Sequence, residues 1–274
     1  LTYKVARELG LTQEGVATGG STTSLIDTVF RTEANDHWNN GTVWVLYDSA
    51  GAGAAPQGEY ATVSDFVSTT STMTISTLTA AIAAGDRYAA MLKHVPRHVL
   101  IQKINQAIMD LGPVPYADIT SITTADNQTE YTLPMAAKRD LLQVRIQTVD
   151  DDANDNQWVK VPNWRVQEAD PGAAPRLIIP QYVADYDLKL VYLADHPELQ
   201  VATAVLSEYV PVERVIYPAV LSCLEWRKQR TGWNTWDDEI DIYRQRVERV
   251  KLDKPIRRPP RDYRFTHVGD TTLS

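Results

Sequence analysis

Gly58–Met91 reads GEYATVSDFVSTTSTMTISTLTAAIAAGDRYAAM. The stretch has no Lys and one Glu, and it is rich in Thr, Ser and Ala. Ser71–Thr77 places Met73 and Ile75 on one face and Thr72, Thr74 and Ser76 on the other. Alternation with period two among β-branched residues is the signal of a half-buried strand. Just upstream, Thr42–Ser49 (TVWVLYDS) sets Val43, Val45 and Tyr47 against Trp44 and Leu46 in the same way. Between the two lies a Gly/Pro/Ala stretch, Asp48–Gly58, which reads as an exposed, mobile loop. Residues 21–95 are therefore expected to form a β-rich domain. Residues 1–20 precede it as a short helix, TYKVARELG, and a Gly-rich link.

The pattern changes at Pro96. Ile101, Ile104, Ile108 and Leu111 fall on one helical face, with Pro96 near the start and Gly112–Pro113 as the stop, which predicts a helix near 97–111. A second β-rich block, 113–200, follows. In it DLLQVRIQTVDDDANDNQWVKV reads as a hairpin, with Leu142, Val144 and Ile146 on one face and Gln143, Arg145 and Gln147 on the other. YDLKLVYLA alternates Tyr186, Leu188, Leu190 and Tyr192 against Asp187, Lys189 and Val191. Helical spacing returns near 212–230, where Val212, Ile216, Ala219, Cys223 and Trp226 share a face that Pro218 should kink or restart. A last helix near 236–251 carries Ile240, Tyr243, Val247 and Val250, with Thr235 and Asp238 in a capping-box arrangement. Asp241–Arg244 and Glu248–Lys251 stand at pairing distance on it. The predicted fold class is α+β: a small helical bundle carrying two β-rich blocks, with an extended C-terminal tail. Residues 96–252 form a helical core with its β-rich insertion, and 253–274 form the tail.

Composition narrows the function. The 274 residues carry a net charge of -8, which disfavours nucleic-acid binding through the overall field and suits a surface that DNA passes without adhering. Only 3 Phe stand against 7 Trp and 13 Tyr, the aromatic types enriched at protein interfaces. Cys223 is the single cysteine, so no intrachain disulfide forms, and its apolar helical surroundings read as a buried small hydrophobe. No apolar run reaches the ~20 residues of a membrane span. The start, LTYKVARELGL, reads as too short and polar for a signal peptide.

Signatures of chemistry are sparse: neither a phosphate-binding loop, nor paired cysteines, nor HExxH, nor GxSxG occurs. His94 and His98 are four apart, but Pro96 between them places His94 outside the helix. Asp150, Asp152, Asn154 and Asn156 offer alternating oxygens, yet Asp155 stands where a calcium loop needs Gly and Val161 where it needs Glu. A solvated turn is the expected reading. No catalytic residue, cofactor site or metal site is nominated. The sharpest feature is the tail, where Arg257, Arg258, Arg261 and Arg264 interleave with prolines, Tyr263 and Phe265. Three readings apply: a peptide arm that orders on a partner, a disordered end, or a nucleic-acid contact, ranked in that order.

Several phrases together resemble the structural proteins of tailed bacteriophages. They are Gly19–Thr23, the Asn40-Gly41-Thr42 that opens a strand, and the Thr72–Tyr88 close ending in Ala-Gly-Asp-Arg-Tyr. LIQKINQAIMDLG, TTADNQTEYTLP, NWRV, YDLKLVYLADHPEL and ERVIYPAVLSCLEWRKQRTG follow in an order similar to phage neck proteins of the adaptor, or head-to-tail connector, kind. The resemblance covers roughly residues 19–264. It implies a non-enzymatic virion protein of the neck, made in the bacterial host cytoplasm. Copies of it would form a ring of about twelve beneath the portal, a closed cyclic assembly. Implied partners are the portal protein, the next neck or tail protein, tail fibres, and DNA in passage without specific binding; no membrane is involved. The resemblance assigns portal docking to Arg257, Arg258, Arg261, Tyr263, Arg264 and Phe265. It assigns subunit packing to helices bearing Ile101, Ile104, Ile108, Ile216, Trp226, Ile240, Tyr243 and Val247. The β content exceeds that of a minimal adaptor, so a fibre-anchoring or decorating neck protein is the alternative reading. A virion-associated hydrolase is the second alternative, and it predicts a carboxylate pair with raised pKa in a cleft.

Overall fold

The computed structural model describes residues 1–134, 137, 140–147, 157–167, 174–199, 205–232 and 234–261. It is a mixed α+β protein, rich in antiparallel sheet. The chain divides into two compact units. The first comprises Leu1–Ile108, Leu199–Ala204 and Val212–Asp253; the second comprises Met109–Glu198, Val205–Pro211 and Lys254–Ser274. The predicted helices thus fall in the unit of the first β-rich block rather than with the 113–200 insertion.

The first unit is built on a seven-stranded antiparallel sheet. Its strands are β1 (Thr12–Val16), β2 (Gly19–Gly20), β3 (Ser24–Ile26), β4 (Thr42–Tyr47), β5 (Tyr60–Val67), β6 (Thr72–Ile75) and β7 (Arg87–Met91), in the order β1-β7-β4-β5-β6-β3-β2. The alternation at β6 holds, with Met73 and Ile75 buried and Thr74 exposed. They pack with Leu25, Val43, Val45, Phe66 and Tyr88 in one apolar cluster. Two expectations fail here. The predicted Gly-rich link EGVATGG, Glu14–Gly20, falls largely in paired strand: Thr12–Val16 runs antiparallel to β7, Thr12 opposite Met91 and Val16 opposite Arg87. Gly15 permits this, because a Cβ there would sit 2.7 Å from both the Asp27 carboxylate and the Tyr88 hydroxyl. The Asp48–Gly58 loop is not wholly exposed either, since Asp48 and Pro56 are buried. β4 is buried on both faces, with Trp44 as covered as Val43 and Val45. Its second face meets α1 (Thr2–Glu8), where the Trp44 indole N–H donates to Thr2 Oγ1 at 3.3 Å.

Three further helices belong to this unit: α2 (Arg97–Met109, its last residue beyond the unit's edge), α3 (Glu213–Thr231) and α4 (Asp237–Asp253). α1 packs on α3, and α3 packs on α4. α3 runs through Pro218 as one helix, without the restart that the proline offered as an alternative to a kink, and Val215, Ile216, Ala219 and Val220 are buried around it. It ends at Gly232, whose φ of 69° is the left-handed conformation a glycine adopts without a Cβ penalty. A 310 turn, Asn234–Trp236, precedes α4, so Thr235 lies inside that turn, two residues ahead of Asp237 and not in the capping position directly before it. The two predicted ion pairs form, Arg244–Asp241 at 3.2 Å and Lys251–Glu248 at 2.6 Å.

The second unit holds two smaller antiparallel sheets. One has the order β11-β10-β14-β8, from β8 (Val114–Asp118), β10 (Leu141–Gln147), β11 (Trp158–Lys160) and β14 (Leu188–Ala194). The other has the order β12-β13-β9, from β9 (Glu130–Thr132), β12 (Arg165–Gln167) and β13 (Arg176–Ile178). The predicted hairpin is β10 with β11, Arg145 opposite Lys160; its turn, with the Asp/Asn run, lies outside the described residues. Val144, Ile146, Leu188, Leu190 and Tyr192 build the core of this unit with Tyr131, Trp164 and Leu177. Among the described residues no helix is long and apolar enough to cross a membrane.

Candidate functional site

The tail leaves α4 as coil from Lys254. Arg257 and Arg258 are exposed, while Ile256 and Pro259 are half-buried. The coil is held within the second unit: the Gln143 side-chain amide donates to the Pro260 carbonyl at 3.4 Å, and Arg261 pairs with Asp140 at 3.3 Å. Gln143, predicted on a wet face, is buried there. Arg261 is thus engaged with its own chain, whereas Arg257 and Arg258 extend into solvent. Tyr263, Arg264 and Phe265 lie outside the described residues.

The helix residues predicted to pack between subunits are mostly occupied within the chain. Ile104, Ile108, Ile216, Ile240, Tyr243 and Val247 are buried. Tyr243 also places its hydroxyl 3.0 Å from the Glu8 carboxylate, and burial together with that hydrogen bond pushes its pKa up to about 12. Ile101 and Trp226 remain half-buried. Trp226 therefore departs from the buried face predicted for it, and Arg230 covers it with its guanidinium 5.4 Å from the ring centre.

The phrases that carry the resemblance mark joints of the first sheet. Asp86, of the Ala-Gly-Asp close, is fully buried. Its carboxylate accepts the Ser49 N–H, the Ser49 hydroxyl and the Ala83 N–H, each at 2.8 Å, so one side chain ties the β7 entrance to the loop after β4. Asn40 takes a φ of 62°, and a Cβ on Gly41 would lie 2.4 Å from the Met91 carbonyl. Those two residues let β4 begin hard against β7. Ser21 N–H closes a tight turn on the Ser24 carbonyl between β2 and β3.

One arrangement had no sequence signal. The Tyr88 hydroxyl donates to Asp27 Oδ2 at 2.6 Å and accepts from Arg31 Nε at 2.6 Å, with all three residues at most 2% exposed. Arg31 also donates to Gln13 and lies over the Trp38 ring at 4.8 Å. Asp27 Oδ1 accepts the N–H groups of Val29 and Phe30, both at 3.0 Å. Burial and the Asp27 hydrogen bond raise the Tyr88 pKa above its ordinary value. This buried network fixes a turn that exposes Val29 and Phe30 by 66% and 62%. Partners 57 and 61 residues apart leave no local pattern; an isolated Asp27 and Arg31 in LIDTVFRT was the only trace.

His94 and His98 are exposed, with His94 ahead of α2 as expected. Cys223 is buried, which pushes its thiol up to about 12. Among the described residues no three His, Cys, Asp or Glu side chains group as metal ligands. No protein-family model matches this chain, and a search of curated proteins finds no match.

Proposed function

We propose that this chain is a structural protein of a tailed-phage virion, an adaptor subunit whose copies form a ring joining the portal to the tail. The observation that carries the reading is the arm after α4. Arg257 and Arg258 stand exposed on a proline-spaced coil, a form suited to docking against an acidic groove of another protein with little ordering entropy to lose. The net charge of -8 supports a channel wall that DNA passes without binding. The exposed Val29–Phe30 turn keeps the fibre-anchoring alternative in view, since a rigidly held apolar pair is the kind of surface a partner covers.

Copy number per purified particle, measured by quantitative peptide mass spectrometry against the portal protein, tests the reading. A ratio near one to one is expected. A many-fold excess would mark a tube or decoration protein, and absence from the particle would overturn the virion reading altogether. Reversing Arg257 and Arg258 to Glu together separates the two structural readings. An adaptor loses portal binding, whereas a fibre anchor keeps its contacts through residues 21–92.

A further inference from the structure

Beside the first turn of α2 the first unit carries a cleft of about 280 Å³. Tyr3, Trp44, Tyr60, Ile101, Ile104 and Leu199 line it. The polar ends of two of its aromatic residues are already engaged: the Trp44 N–H with Thr2, and the Tyr3 hydroxyl with Glu14. What they bring to the cleft is apolar surface. Arg97 differs. Its guanidinium carbon sits over the Tyr60 ring, 3.3 Å from the ring centre. Its Nε is buried without a hydrogen-bond partner. Among the described residues no carboxylate stands within ion-pair distance of it, and burial pushes its pKa below the ordinary arginine value. The cation–π contact accounts for the position over Tyr60 but leaves the Nε–H unsatisfied, and buried donors are otherwise almost always paired. Arg97 also opens a 13-residue helix, whose N-terminal partial charge favours an anion at the same place. An arginine fork is suited to a carboxylate.

We propose that this cleft binds a carboxylate carried on an apolar body of amino-acid size, with the carboxylate on Arg97 and the body against Trp44 and Tyr60. The volume holds about ten non-hydrogen atoms at roughly a water's share of space each. Two sources offer this chemistry, a free organic acid and the C-terminal residue of a peptide. The site is independent of ring assembly and uses the first unit alone.

Calorimetry on the full chain tests it with matched pairs: phenylacetate against phenylacetamide, and acetyl-glycyl-phenylalanine against its C-terminal amide. The acids are expected to bind at least about tenfold tighter than the amides, the worth of one charge-assisted hydrogen bond. Arg97→Gln should abolish that preference, Arg97→Lys should retain part of it, and Tyr60→Ala should weaken acid and amide alike. A tighter peptide acid assigns the site to a chain terminus; a tighter phenylacetate assigns it to a free acid. Equal binding of acid and amide, no binding of either at millimolar concentration, or an undiminished preference in a natively folded Arg97→Gln overturns the proposal. If Arg97→Gln loses its native circular dichroism, the acid–amide comparison on the unmutated protein decides alone.

Discussion

Tyr88 illustrates how much one hydroxyl can hold. It stands between a buried carboxylate and a buried guanidinium, donating a hydrogen bond to Asp27 and accepting one from Arg31. Tyr88→Phe keeps the ring and removes the bridge, leaving both charges short of a partner. The expected loss is about 2–3 kcal/mol, read from the urea unfolding midpoint. Faster amide exchange at Val29 and Phe30 should accompany it, because their N–H groups depend on the same Asp27. Asp86→Ala removes the acceptor of three hydrogen bonds in one step. It should cost about 3 kcal/mol, with the Ser49 and Ala83 amides losing exchange protection. An unchanged midpoint in either variant would show that water or a shifted neighbour replaces the lost oxygen.

At the scale of elements, what was legible was what local pattern can encode. β4, β6, the β10–β11 hairpin, β14 and α2 declare themselves by period, and Gly112 punctuates a helix end. β1 was not legible, because TQEGV has no apolar alternation. It is a strand through pairing with β7, some seventy residues away, and through the missing side chain at Gly15. The three-residue strands β9, β12 and β13 are too short to carry a period. Pro218 does not restart the helix: its missing N–H can signal a break, yet the surrounding buried face of α3 keeps the helix continuous. The cleft was invisible for the same reason as β1, since Tyr60 and Arg97 meet only once sheet and helix are assembled. Gly232→Ala offers a direct check on the turn from α3 toward α4. A Cβ at φ 69° is strained, so a loss of about 1 kcal/mol in unfolding free energy is expected.

For the whole molecule, alkaline pH should be the weak direction. Tyr88, Tyr243 and Cys223 all have their folded pKa raised by burial. Below the ordinary values of 9.0 for the thiol and 10.0 for the phenols, neither folded nor unfolded chain has released these protons. As pH rises past them, the unfolded chain releases protons that the folded chain still holds. Stability then falls until the folded groups titrate in turn. Urea midpoints measured from pH about 8 to about 11 should decline, and Tyr243→Phe should flatten that decline. A profile level over this range would refute the assignment.

The route of the chain between its two units has a further consequence. Neither unit is continuous: the first is finished only by α3 and α4, after the chain has built most of the second. On the ribosome, the first sheet therefore emerges long before the helices that complete its unit. Until Asp253 has left the exit tunnel, the α1 surface that receives α3 and the Glu8 groups that receive Tyr243 are open to water and to neighbouring nascent chains. Chaperone demand during synthesis should therefore last until the helices through Asp253 have emerged, and a fragment ending at residue 95 is a poor stand-in for the first unit.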